Sequence, residues 1–181
     1  SSVDEMLKFS LKERNLLNKS FNFLDLGCGN GWVLRKVVKE DLCGFALGVD
    51  GAEEMISNAK SRGKEGHYIH ADITTYEPSL GFDLVHSMEV MYYLSDPLKI
   101  LKKIENTWLK PNGRLIIGID QYYENADSHS WESKVNTPML MLKEVEWVDM
   151  FKQAGFAEVE NWRANKSNDW AGTLVITGKK A

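Results

Sequence analysis

Phe21-Asn-Phe-Leu-Asp-Leu-Gly-Cys-Gly-Asn-Gly-Trp32 is an apolar run that empties into three alternating glycines, Gly27, Gly29 and Gly31. The run reads as a buried strand. A helical pattern follows at once over 31–40, with Val33, Leu34, Val37 and Val38 on one side. Glycines at this spacing remove the side chains that would hold a ligand off the backbone, and they permit positive φ. The start of the next helix adds unpaired N–H groups and a positive dipole end. The turn therefore favours a small molecule with an anionic end.

Two further strands end in the same way. Residues 44–49 lead into Asp50, nineteen residues after Gly31, where a nucleotide-binding βαβ unit carries its ribose ligand. His67-Tyr-Ile-His-Ala71 leads into Asp72. Three successive predicted strands thus finish in Asp25, Asp50 and Asp72, and ligands of open α/β sheets sit beyond the carboxyl ends of the strands.

Outward from these segments the pattern alternates. Strands are predicted at 21–26, 44–49, 66–71, 82–87, 113–119, 156–163 and 171–178, with helices at 31–40, 52–62, 97–109 and 143–154. Asp96 and Pro97 mark a helix start, with Leu98, Leu101, Ile104 and Trp108 turned to the core. Gly155 marks a helix stop. Ser1 to Lys19 reads as an amphipathic helix with Val3, Met6, Leu7, Leu11 and Leu17 as its apolar contacts. Alternating β and α imply a parallel sheet with right-handed crossovers. The last two strands have no helix between them, so the final one should run antiparallel to its neighbour.

The 181 residues suit one domain spanning 1–181 with a sizeable core. Hydrophobic residues at 43% and charged ones at 27% are ordinary for a globular protein, and the net charge is −4. No basic cluster exceeds Lys102-Lys103, which disfavours nucleic acid as a partner. No targeting peptide or membrane-spanning run is seen, and a cytoplasmic location is expected. Cys28 and Cys43 have no ligand-like spacing and read as reduced thiols. The four histidines (67, 70, 86 and 129) are scattered, so no metal is expected.

The segment Asp25-x-Gly-x-Gly-x-Gly31 resembles the first motif of class I S-adenosylmethionine-dependent methyltransferases of the small-molecule type. The dinucleotide fingerprint fits less well, because Trp32 stands where it wants Gly or Ala. The resemblance runs from about Phe21 to Lys180. Gly48-Val-Asp50 looks like the second motif and His70-Ala-Asp72-Ile73 like the third. Phe82-Asp-Leu-Val-His-Ser87 with Tyr92-Tyr-Leu-Ser-Asp-Pro97 looks like strand four and its helix. Leu109-Lys-Pro-Asn-Gly-Arg114 looks like the Leu-Lys-Pro-Gly-Gly approach to strand five, with Asn112 where Gly is usual.

The fold this implies is α/β: a Rossmann-like three-layer αβα sandwich around a seven-stranded, mostly parallel sheet with an antiparallel last strand. The cofactor implied is S-adenosylmethionine, leaving as S-adenosylhomocysteine. The resemblance assigns Asp25, Gly27, Cys28, Gly29 and Gly31 to its methionyl and ribose portion. Asp50 and Gly51 fall to the ribose, Asp72 and Ile73 to the adenine, and Ser87 and Met88 to the methionyl end and methyl group. Relatives usually carry more helical sequence before the first motif, so the cofactor is expected to be more exposed here.

The segment 121–142 is long for a connection and rich in aromatic and Met residues, with Tyr122, Tyr123, Trp131, Met139 and Met141 needing burial. In the family this insertion commonly forms part of the acceptor site. His129, Glu89 and Tyr92 are the candidate catalytic groups. The expected activity is methyl transfer to a small-molecule acceptor. A methyltransferase-like scaffold and a nicotinamide-dependent oxidoreductase remain as alternatives.

Overall fold

The computed structural model describes residues 1–181. Strand β1 (Phe21–Leu26) lies between β2 (Cys43–Asp50) and β4 (Phe82–Met88), parallel to both. β3 (His67–His70) forms one edge beside β2. β5 (Leu109–Ile119) follows β4, and β7 (Thr173–Lys179) runs antiparallel between β5 and the other edge strand, β6 (Ala157–Ala164). The order is β3-β2-β1-β4-β5-β7-β6. The chain reverses direction across the sheet between β1 and β4, which opens a crevice at their carboxyl ends.

Period-two alternation divides the strand residues between two cores. Leu24, Leu26, Val85, Leu115 and Ile117 pack against Ile100 and Leu101 of α4 (Pro97–Lys103) and Trp147 and Phe151 of α6 (Glu144–Ala154). On the other face, Phe23, Leu84, Ile116 and Val175 meet Met6 of α1 (Ser2–Leu17), Leu34 of α2 (Trp32–Val37) and Ile56 of α3 (Glu53–Arg62). Asp25 and His86 continue the second face, so two polar side chains fall in line with an apolar row.

Several expected boundaries move. The helix expected at 31–40 is only the six residues of α2, too short to build much of a dipole. The helix expected at 97–109 stops at Lys103 as an α-helix and widens into a π turn over Ile104–Trp108, which keeps Ile104 and Trp108 buried. Leu98 is only half-buried, while Ile100 lies in the core. β5 begins at Leu109 rather than 113, because Asn112 takes φ +61 and lets the strand bulge instead of starting late. Leu17 is exposed, since α1 ends in a left-handed Asn18 that turns its last residues away from the sheet. No helix joins β3 to β4, and a groove of about 540 Å³ remains along that edge, lined by Phe45, Leu47, Ile69, Tyr76 and Leu80.

α1 is tied down by charge as well as by Met6. The buried Arg114 of β5 donates from Nε and Nη2 to the Glu13 carboxylate at 2.9 and 3.1 Å, and Lys179 adds a contact at 2.7 Å. Burial by itself raises the Glu13 carboxyl, but hydrogen bonds from Arg114 and Lys179 outweigh it and hold the group at about 2. Glu13→Ala leaves a buried guanidinium without its partner and should cost about 2 kcal/mol in denaturant unfolding. Because the folded pKa is depressed, this contribution is present above the usual 4.5 and is lost as pH falls towards 2. The stability gap between wild type and variant should therefore close over that interval in acid titration.

Candidate cofactor and acceptor site

The glycine turn hangs from its neighbours by backbone bonds. Gly27 and Cys28 donate to the Val49 carbonyl at 2.8 and 3.1 Å, and Gly29 donates to Asp50 Oδ2 at 2.8 Å. At Gly27 a Cβ would sit 2.1 Å from a methyl of Val90, so only glycine lets this part of the turn reach strand β4's end. Gly29 is different. Its φ is +51, and a Cβ there would meet nothing within 4 Å, so the turn presents bare backbone to open space. That is the shape a ligand lying on the loop requires.

Asp25, Gly27, Cys28, Gly29, Asn30, Trp32, Val33, Met55, His86 and Met88 line a cavity of about 250 Å³ at this turn. Met88 links it to α1: a Cβ at Gly118 would lie 2.6 Å from Met88 Sδ and 2.9 Å from Met6 Sδ, so both thioethers pack over that glycine. The Cys28 thiol is pushed up by burial and by the nearby Asp25 and Asp50, and it stays protonated. The larger groove beside β3 shares no residue with this cavity.

Asp50 does double duty. Besides Gly29, its Oδ1 accepts from Ala52 N at 2.8 Å and steadies the start of α3. Each oxygen keeps a free lone pair for a hydroxyl. The Gly51 carbonyl lies 3.0 Å from His70 Nε2. Asp72 is exposed and accepts from Thr74 N and Oγ1 at 2.8 and 2.7 Å, a local turn that lowers its pKa. Ile73 is buried in the core behind it. The Ser87 hydroxyl donates to the Leu26 carbonyl at 2.8 Å, cross-linking β4 to β1, so its side chain is already committed.

On the other side of the crevice Glu89 follows β4 directly in a left-handed conformation, φ +61, which is strained for a residue with a side chain. Its carboxylate accepts from Tyr92 Oη and from Asp120 N, both at 2.6 Å. Burial, then the Asp120 charge, push the Glu89 carboxyl up to about 7 against these two bonds. Asp120 is itself raised by burial, and its Oδ1 has no partner. Tyr92 is raised far out of range and acts only as a donor.

The 121–142 segment folds as a short 3-10 turn (Ala126–Ser130) and α5 (Trp131–Val135). Leu140 N donates to the Tyr92 carbonyl at 2.8 Å, which lays the segment's end against the Glu89 side of the crevice. Tyr122 and Met139 are buried as expected, but Tyr123 is 53% exposed, its face taken by Lys143 rather than by the core. His129 is exposed, and its Nε2 lies 2.7 Å from the Tyr123 carbonyl. It lines a surface groove with Glu132 and Asn136 that shares nothing with the glycine turn.

Two residues escaped the sequence reading. Asp120 follows β5 directly, and His86 is the register partner of Asp25. Aligning the ends of strands one and four would have found His86, because parallel neighbours set such residues side by side.

A family model described as a methyltransferase domain matches residues 3–161, and the chain belongs to that family. A curated relative, the malonyl-[acyl-carrier protein] O-methyltransferase of Halalkalibacterium halodurans, is 29% identical over 133 residues, covering 68% of this chain and 49% of that protein. Among solved structures, the methyltransferase in complex with the Haloferax volcanii Trm112 methyltransferase activator superposes with TM-score 0.77 at 26% identity, over 90% of this chain and 83% of that one. The N-methyltransferase NodS of Bradyrhizobium japonicum, solved with S-adenosyl-L-homocysteine, gives 0.72 at 19% identity over 99% and 88%. The chain spans about half the length, or less, of the curated relatives it matches. The open face of Gly29 and the unpartnered oxygen of buried Asp25 fit S-adenosylmethionine, the cofactor that the motif resemblance implies.

Asp50→Ala should lower the affinity for S-adenosylhomocysteine roughly tenfold to a hundredfold, read by calorimetry. It should also cost about 1 kcal/mol of stability from the lost hydrogen bonds to Gly29 N and Ala52 N. Unchanged affinity would remove Asp50 from the site. Gly29→Val puts a branched side chain into the open face and should abolish binding. A folded variant that binds normally would show that the ligand lies elsewhere.

Proposed function

We propose that this domain transfers the methyl group of S-adenosylmethionine to a small-molecule acceptor seated between Glu89 and the 121–142 segment. When bound, the cofactor supplies a methyl group already activated on a sulfonium. The protein's share is alignment, exclusion of water and care of the acceptor's proton. Asp25, Gly29, Asp50 and Met88 are assigned to the cofactor, with Asp72 and Ile73 at its adenine end.

The single observation that carries the acceptor side is the Glu89 carboxyl. It stands at the strand end next to Met88, fixed by Tyr92 and the Asp120 N–H, with a pKa near neutrality suited to taking a proton. Tyr92 positions it, and His129 is left on the surface. The 121–142 segment carries Glu124, Asp127 and Glu132 against a lone Lys134, which favours a small molecule over a phosphate backbone.

The test is Glu89→Gln, assayed for S-adenosylhomocysteine release against a panel of amines, phenols and carboxylic acids. With the accepted substrate, the wild-type rate should rise as pH passes through about 7, where the carboxyl loses its proton. Glu89→Gln should lose that rise and about 10²–10⁴-fold in kcat while keeping its affinity for S-adenosylhomocysteine. A variant with full activity and the same pH profile would remove Glu89 from proton transfer.

A further inference from the structure

The buried pair under the glycine turn has more to offer than its internal bond. His86 Nδ1 lies 2.8 Å from Asp25 Oδ1, and the two side chains are 0% and 3% exposed. Their far atoms, His86 Nε2 and Asp25 Oδ2, have no hydrogen-bond partner in the protein. Both residues line the 250 Å³ cavity with Gly29 and Met88. Asn30 brings a third unpartnered atom, Oδ1, to the same cavity. Buried polar atoms are rarely left unpaired, and three on one small cavity mark a place for a ligand.

Their chemistry says which kind. An ionised carboxylate only accepts, so the proton between Asp25 and His86 sits on Nδ1. In the neutral ring this tautomer leaves a lone pair at Nε2 that accepts too, and the acceptor role requires that form, since an imidazolium would carry a proton there. Asp25 Oδ2, His86 Nε2 and Asn30 Oδ1 are therefore three acceptors with no donor among them. A water or a primary amide brings two N–H or O–H donors, whereas an ammonium brings three and carries the charge that Asp25 lacks beside a neutral histidine. S-adenosylmethionine bears such an ammonium on its methionyl end.

We propose that His86 is a cofactor-binding residue, which together with Asp25 forms an all-acceptor cradle for the methionyl ammonium and discriminates for it. The assignment rests on the cofactor reading of the cavity above. It also gives β4 two separate duties: His86 reads the cofactor from one side of the crevice, and Glu89 faces the acceptor from the other.

The test compares S-adenosylhomocysteine with its analogue lacking the α-amino group, by calorimetry on wild type, His86→Leu and His86→Gln. Wild type should prefer the amine-bearing ligand by about a hundredfold, and His86→Leu should cut that preference about tenfold while leaving the affinity for the desamino analogue unchanged. His86→Gln, whose amide oxygen can accept, should recover part of the preference. Equal loss for both ligands would make His86 structural, and no loss for either would remove it from the site. Failure of wild type to bind either ligand would instead overturn the cofactor reading, and this proposal with it. Unmutated protein gives an independent reading through ¹⁵N spectra of the imidazole. At neutral pH they should report a neutral ring protonated at Nδ1, with Nε2 shifting on addition of S-adenosylhomocysteine and not of the desamino analogue. An imidazolium in the bound state would overturn the proposal, because its Nε2–H would face the ammonium.

Discussion

Everything at the site depends on the parallel register of β1 with its two neighbours. Asp25 stands opposite Gly48 on one side and His86 on the other, so the carboxyl ends of β2, β1 and β4 finish together. With that register the glycine turn can hang on Val49, Asp50 can catch Gly29, and Val90 can fill the space that Gly27 vacates. A slip of β1 by one residue would turn Asp25 away from His86 and onto the face where Val85 packs, and would exchange Leu24 and Phe23 between the two cores. The apolar rows on both faces make such a slip costly, and so the core fixes the site.

The site then divides by protonation chemistry. At the glycine turn the buried Asp25 and His86 bond to each other and leave Oδ2 and Nε2 without partners. Across the crevice the half-buried carboxyls of Glu89 and Asp120 lie close together, and loss of solvent pushes both upward. Two contrasting environments thus lie a few residues apart at the carboxyl end of β4, and the proposed functions of the two sides rest on that contrast. α1 joins the two to the scaffold, resting Met6 beside Met88 and anchoring itself through Glu13 on Arg114. The strain at Glu89, φ +61, sits where the chain leaves the sheet for the acceptor side.

Much of this is written in the sequence as pattern. Strand-to-helix alternation was enough to predict the parallel part of the sheet, and the lack of a helix between β6 and β7 predicted the antiparallel ending, while the strand order came from the structure. What pattern could not carry was anything settled by tertiary contact. α2 is short, with Val37 its last residue. Asn112 replaces a usual glycine because asparagine also tolerates a left-handed backbone. Tyr123 stays at the surface with Lys143 over its ring, a contact with a residue twenty positions away in sequence. His86 and Asp120 were invisible for the same reason: each gains its meaning from a partner on another strand. His129, prominent in the sequence, is bonded to its own loop instead.

The most direct measurement is calorimetric titration of the chain with S-adenosylhomocysteine, with NAD run under identical conditions. Saturable micromolar binding of S-adenosylhomocysteine, with no heat from NAD, is the expected result. Binding of NAD, or silence from both ligands, would contradict the assignment of the glycine turn and its three acids to this cofactor.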